Sequence, residues 1–400
     1  MERTKRASIE FSLIWKSLQA QHRDRFHFSR IIFWRDIFPG GFADALPGMA
    51  QGEERTEDFD AGVLVPCFSS RNVFPVMEFQ IDFRSHGKTQ LELRPGRFYP
   101  RGIVQSPYTF PKETRPFRYL GRKGSHLMVD LNHPLAEYPV TLSARVVEHL
   151  DPQVERGGLC NDIAFSVTDN GPGLQAGRQD MDMDILHGSP FSRVDEGDDT
   201  VFYGIDHFVD HVDAAALSTI TSIYSRLLKP GMMVLDLMSS RDSHLSGDLD
   251  GLSVTGLGLN QDDLEKNGRL SERVTCDLNL EPRLPFQDAE FDAAVCSLSV
   301  EYLIEPIRVF REVARVLRPG APFIVTFSNR WFQPKVIALW TELQLFERMG
   351  LVLEYFRKSG GFGNLNSESV RGLPRPVDDP SFPDLRESDP VFAVWGEALS

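Results

Sequence analysis

The sequence has few cysteines, no long apolar run and no basic surplus, and each shortage removes a class of protein. Its four cysteines, Cys67, Cys160, Cys276 and Cys296, are scattered without the paired spacing of a zinc or redox site. That argues against a disulfide scaffold and fits a reduced, cytoplasmic setting. No stretch approaches the ~20 apolar residues that span a bilayer. The apolar run from Phe11 to Trp15 is too short for a signal-peptide core, so no membrane partner is expected. The net charge is −14, and non-specific nucleic-acid binding needs the opposite sign.

The acidity is unevenly spread. Residues 1–160 carry 22 Lys and Arg against 19 Asp and Glu, and the remainder carries 21 against 38. A chain of 400 residues is too long for one ordinary core, so two or more domains are expected, with a boundary near residue 160. The first 150 residues read as mostly β, with β-branched or aromatic runs at 9–15, 76–83 and 140–147 and one helical patch at 41–46. Residues 170–200 are dominated by Asp180, Asp182, Asp184, Asp195, Glu196, Asp198 and Asp199, opposed only by Arg178 and Arg193. This composition reads as a linker or solvated loop. The expected division is a domain over 1–160, an acidic linker over 161–206 and a domain over 207–400.

From residue 207 the pattern alternates strand and helix. Strands are predicted at 232–237, 253–259, 274–278, 291–297 and 323–327, and helices at 217–228 and 306–317. On the second helix Phe310, Val313, Val316 and Leu317 share one face. Such alternation implies a doubly wound parallel sheet, whose ligands bind outside the C-terminal ends of the strands. The first of these strands, Val234-Leu235-Asp236-Leu237, runs into Met238-Ser239-Ser240. A cofactor turn at this place ordinarily uses glycines, so that the backbone can approach the ligand. Here there are none.

In order along the chain stand Cys276-Asp277-Leu278, Leu284-Pro285-Phe286, Phe291-Asp292 and Leu317-Arg318-Pro319-Gly320. With that spacing, 207–400 resembles the class I S-adenosyl-L-methionine-dependent methyltransferases of the type 11 kind. The resemblance implies a Rossmann-like sheet, closed by an antiparallel edge strand at 391–395. It also implies a site in which Asp236, Met238, Ser239 and Ser240 face the methionine end of the cofactor and Asp277 binds the adenine amino group. Cys296 and Ser297 would lie beside the cofactor, facing an unknown methyl acceptor. The family's ribose-binding carboxylate falls on Gly258; Asn260 or Gln261 would replace it in part. His244 and Tyr302 are the candidate bases. Trp331, Phe332 and Trp340 fit either an acceptor pocket or a helix core.

In the first half, Gly41-Phe42-Ala43-Asp44-Ala45-Leu46 and Asn132-His133-Pro134-Leu135-Ala136 resemble the FKBP-type peptidyl-prolyl isomerases of the SlyD kind. This implies an FKBP-like β-barrel or half-barrel with an insert. Its proline pocket would be floored by Phe42 and flanked by Trp15, and would be open to a protein or peptide partner. The metal-binding tail of SlyD is absent, so no metal site is expected. Two enzymatic readings follow. One is methyl transfer from S-adenosyl-L-methionine by the second half. The alternative is a prolyl isomerase whose second half is a non-catalytic scaffold. A third reading makes both halves binding modules.

Overall fold

A computed structural model describes residues 4–83, 92–107, 109–110, 112–154, 157–169, 173–177, 185–204 and 212–400. Asp180, Asp182, Asp184 and Arg178 of the acidic stretch lie outside the described residues. The N-terminal part forms β1 (Thr4–Lys16), β2 (Ala20–Ile32), the single-turn helix α1 (Phe42–Ala45), β3 (Glu54–Phe59), β4 (Val73–Met77), β5 (Phe98–Pro100), β6 (Pro116–Lys123), β7 (His126–Asp130) and β8 (Val140–Gln153). Three helices follow: α2 (Ile163–Thr168), α3 (Asp199–Tyr203) and α4 (Ala214–Leu227). The remainder runs β9 (Met233–Leu237), β10 (Ser253–Gly258), α5 (Gln261–Lys266), β11 (Glu272–Thr275), β12 (Ala293–Ser297), α6 (Pro306–Val316), β13 (Pro322–Phe327), α7 (Ala338–Glu342), α8 (Arg348–Ser359), β14 (Phe362–Arg371) and β15 (Val391–Ala398).

One sheet of 11 strands runs through the molecule in the order β11-β10-β9-β12-β13-β15-β14-β2-β1-β8-β3. The strands β11, β10, β9, β12 and β13 are parallel, and β15 is antiparallel to β13. The strand order reverses between β9 and β12, which opens a crevice at their C-terminal ends. β9, β10, β12 and β13 stand where the apolar runs predict them. β15 is the expected antiparallel strand, but it is an interior one. Val391, Phe392, Ala393 and Val394 are all buried because β14 covers the side that an edge strand would leave open.

The expected barrel does not close among the described residues. β2, β1, β8 and β3 form an open antiparallel run. Closure would require the outer strands of that run to meet, yet β2 is already paired with β14. The insert strands make a separate antiparallel sheet, β4-β7-β6-β5. α1 packs on the open run, where Phe42 (0% exposed) meets Phe11 edge to face at 5.9 Å.

β2 and β14 pair in parallel from Leu365↔Ala20 to Arg371↔Phe26. The side chains across this seam are mostly polar. His22 Nδ1 lies 2.8 Å from Ser367 Oγ, Ser369 donates to Asp24 at 2.7 Å, and Arg25 meets Glu368 at 3.1 Å. Arg226 of α4 also pairs with Glu368. Each of these side chains thus has a partner, the condition for tolerating polar groups between two cores. Among the described residues no helix is long and apolar enough to cross a membrane.

Candidate functional site

A cleft of about 880 Å³, its open mouth included, lies at the C-terminal ends of β9, β10, β11 and β12. Ser239, Ser240, Asn260, Asp263 and Asp277 line one part of it, and Tyr203, Tyr302 and Phe332 another. It therefore has a hydrogen-bonding end and an aromatic end.

The turn after β9 manages without glycine because Met238 takes the left-handed conformation, φ 57°, at a cost of roughly 1–2 kcal/mol for a residue with a side chain. Three bonds hold it there. Ser239 N donates to Leu257 O at 2.8 Å, which stitches the turn onto β10. Ser239 Oγ donates to Asp236 Oδ2 at 2.5 Å. Asn267 Nδ2 donates to Ser240 O at 2.8 Å. Asp236 is buried beneath the turn and does not line the cleft. Burial pushes its carboxyl up to about 6, against the lowering effect of the Ser239 and Ser243 hydroxyls.

The same turn explains Gly258. A Cβ there would sit 2.2 Å from Ser239 O and 3.2 Å from Leu264 Cδ2. The carboxylate that the family resemblance would place at 258 therefore has no room while the turn crosses β10. On this side the cleft presents instead the carboxylate of Asp263 in α5. Ser240 Oγ donates to it at 3.4 Å and Arg241 Nε at 2.6 Å. Asn260 is committed locally: its Oδ1 accepts from Asp262 N and Asp263 N, and its Nδ2 donates to Tyr203 O at 2.9 Å. Asp277 lines the cleft, with Oδ1 accepting from Asn279 N at 2.8 Å.

The structure brings Met238, Ser239, Ser240, Gly258, Asn260, Asp277 and Tyr302 together around one cleft. It sets others apart. Cys296 is buried in β12 and its thiol is pushed well up by burial. The Ser297 hydroxyl is 2.7 Å from Tyr224 Oη. The next residues, Leu298 and Ser299, are the ones that reach the cleft. His244 does not line it; its Nδ1 lies 3.5 Å from Asp242. The Tyr302 hydroxyl accepts from Phe332 N at 2.8 Å, and burial raises its pKa well above the usual range, so it is poorly suited to act as a base. Trp340 is core, stacked edge to face on Phe327. In the first half, Phe42 and Trp15 are buried; Trp15 stacks on His22 and donates to Asp24.

Tyr203 is the cleft residue that sequence reasoning had least means to find. It comes from α3, at the end of a described acidic segment, 193–203, that is strapped beside the site. Lys335, fully buried after β13, reaches Asp195 at 3.1 Å, Asp199 at 3.0 Å and Gly197 O at 2.8 Å. Arg193 pairs with Asp199 at 2.7 Å, and Asn279 Nδ2 donates to Asp199 at 2.9 Å. Burial opposes the Asp199 charge, but these hydrogen bonds outweigh it and hold the carboxyl below its usual range. Lys335→Met leaves Asp199 short of a cation in a buried place. We expect a stability loss of about 3–5 kcal/mol in urea unfolding. A loss below about 1 kcal/mol would show that this lysine does not hold the strap.

Residues 243–325 match the family model described as "Methyltransferase domain". Over 58 residues the chain is 29% identical to the malonyl-[acyl-carrier protein] O-methyltransferase of Marinomonas sp. (strain MWYL1), a match covering 14% of this chain and 22% of that protein. The chain thus spans about a fifth of the length of the curated relative it matches. Two solved structures are similar. One is a complex between the Haloferax volcanii Trm112 methyltransferase activator and a methyltransferase, with 18% identity, a TM-score of 0.39, and 51% of this chain and 99% of that one covered. The other is a SAM-dependent methyltransferase from Aquifex aeolicus, with 16% identity, a TM-score of 0.32, and 50% and 98% covered. Residues 243–325, within the second half, thus carry the likeness to a methyltransferase domain.

Proposed function

We propose that the cleft binds S-adenosyl-L-methionine and that the protein transfers its methyl group to an acceptor entering from the aromatic end. The observation that carries this is the division of the cleft into a polar and an aromatic end, at a strand reversal that a methyltransferase match overlaps in part. The matched span 243–325 includes Gly258, Asn260, Asp263, Asp277 and Ser299 of the lining.

The residues fit such a ligand. The Ser239 and Ser240 hydroxyls and the Asp263 carboxylate offer partners for hydroxyl and ammonium groups. Asp277, with Oδ1 already fixed by Asn279 N, offers an acceptor for an exocyclic amine. Gly258 keeps the floor of the cleft free of a side chain. When bound, the cofactor supplies a methyl group on a positively charged sulfur. The chain's own contribution is placement: Leu298, Ser299 and Tyr302 set the wall against which an acceptor is aligned. Positioning of this kind accounts for a large share of the barrier lowering in a two-reactant step.

The test is calorimetric titration of the full chain with S-adenosyl-L-methionine. We expect micromolar affinity, weakened at least tenfold, about 1.4 kcal/mol, in Asp277→Ala. Absence of both heat and any rise in melting temperature at about 1 mM ligand would overturn the reading.

A further inference from the structure

The loop after β11, the loop after β12 and α3 each give a residue to the cleft: Asp277, Tyr302 and Tyr203. One side chain joins all three segments. Asn279 Nδ2 donates to Asp199 Oδ2 of α3 at 2.9 Å and to Tyr302 O at 3.0 Å, and its Oδ1 accepts from Ile304 N at 3.0 Å. Its backbone N–H donates to Asp277 Oδ1 at 2.8 Å. Asn279 itself lines the cleft, but an amide nitrogen has only two N–H groups and both are committed within the protein. It therefore serves the site through its neighbours.

Each neighbour bears on the cleft. Asp277 Oδ1 takes the Asn279 N–H and, at 3.3 Å, that of Leu280, which turns the carboxylate and leaves Oδ2 for a ligand. The helix α3 is held at both ends. Asp199 at its start bonds Asn279, and the Tyr203 carbonyl at its end accepts from Asn260 Nδ2 at 2.9 Å. Asn260 and Asn279 stand on the loops after β10 and β11, so α3 bridges two loops that line the cleft. Two cations fix Asp199 in turn, Lys335 at 3.0 Å and Arg193 at 2.7 Å. Neither they nor Asp199 lines the cleft.

Resting on the cofactor reading above, we propose that Asn279 is a positioning residue of the cofactor site, tying the docked α3 to Asp277 and to the Tyr302 loop so that α3 docking and cofactor binding favour each other. The coupling works through rigidity. A side chain that bridges three segments holds Asp277 and Tyr302 in one arrangement before the ligand arrives, and a preorganised site loses less freedom on binding. The coupling is also reciprocal: whatever factor the docked α3 adds to cofactor affinity, the bound cofactor adds to the docking of α3. Asn279→Ala isolates the bridge, because it keeps the backbone N–H that Asp277 accepts.

The experiment uses the full chain and two readouts. One is calorimetric titration with S-adenosyl-L-methionine. The other is amide hydrogen exchange across 199–204 with and without saturating cofactor. We expect Asn279→Ala and Asp199→Ala each to weaken cofactor binding about tenfold. The double variant should lose about as much as either one, because both cut the same bridge, whereas unconnected structural losses add. Asp199→Asn, which keeps an acceptor for Asn279, should recover most of the affinity lost in Asp199→Ala. Cofactor should slow exchange across α3 about tenfold in the parent and less than about twofold in Asn279→Ala. The exchange measurement on the parent tests the proposal even where a variant fails to fold. Affinity in Asn279→Ala within about twofold of the parent, additive losses in the double variant, or parent exchange that the cofactor leaves unchanged would overturn the proposal and leave the cofactor reading intact. Absence of cofactor binding by the parent would remove the reading on which it rests.

Discussion

Gly258→Asp is expected to destabilise the protein by about 3 kcal/mol or more and to weaken S-adenosyl-L-methionine binding. On sequence grounds alone the opposite is the natural expectation, because Asp at this position would restore the ribose-binding carboxylate of the family. The structure reverses the sign. The clashing atom is Ser239 O, 2.2 Å from a built Cβ, and a backbone oxygen cannot swing aside as a side chain would. Ser239 is itself pinned by its N–H to Leu257 O. Gly258→Ala should therefore fail nearly as badly as Gly258→Asp, which separates steric from electrostatic causes. Chemical denaturation and calorimetry on both variants check this. Normal stability with tighter cofactor binding in Gly258→Asp would show that the turn can move off β10.

Replacing Asp236 should have the second large effect, through the turn. Asp236→Ala removes the acceptor for the Ser239 hydroxyl and for Ser243. Leaving buried hydroxyls unpaired and a small void costs about 2–3 kcal/mol. It also releases Met238 from its left-handed conformation, so cofactor affinity should fall at least tenfold, about 1.4 kcal/mol, although Asp236 does not line the cleft. Asp236→Asn separates charge from shape. Burial pushes the carboxyl up to about 6 in the folded protein, above the ordinary aspartate value of about 3.9, so between those values the folded state holds the extra proton. Its contribution to stability is full below the unfolded value and is lost as pH rises through about 6. The parent should therefore gain about 2–3 kcal/mol from this group on going from pH 7 to pH 4, and Asp236→Asn should gain correspondingly less. Equal pH profiles for parent and variant would show that the carboxyl is not held neutral by burial.

Much of the second half was legible because its strands are fully buried and read as plain apolar runs. The motif order from Asp277 to Gly320 and the amphipathic face of α6 placed the sheet and the end of it that carries the cleft. The turn was legible as a departure but not as a solution. Nothing in Met238-Ser239-Ser240 announces that a methionine takes a left-handed conformation, since that depends on Asp236, Leu257 and Asn267 closing around it. The strap was illegible for a related reason. Asp195 and Asp199 look solvated in a run of acids, and their partner Lys335 is far away in sequence. The N-terminal strands were readable, but their closure was not. Whether β1, β2, β3 and β8 form a barrel depends on what meets the edge of β2. The strand that does so, β14, carries the polar sequence Asn-Ser-Glu-Ser, which does not read as a buried strand.

The seam between β2 and β14 also sets the order of events in folding. His22 and Ser367 are hydrogen-bonded across 345 positions of sequence, so β2 cannot find its neighbour until nearly the whole chain has been made. Contacts this distant slow folding. Until then β2 presents a bare row of backbone donors and acceptors, which is an aggregation hazard. Shortened versions of the protein inherit the same problem from the other side. A fragment carrying only the second half keeps β14 but loses Arg25, one of the two arginines on Glu368, and His22, the partner of Ser367. Such a fragment should express poorly beside the intact chain.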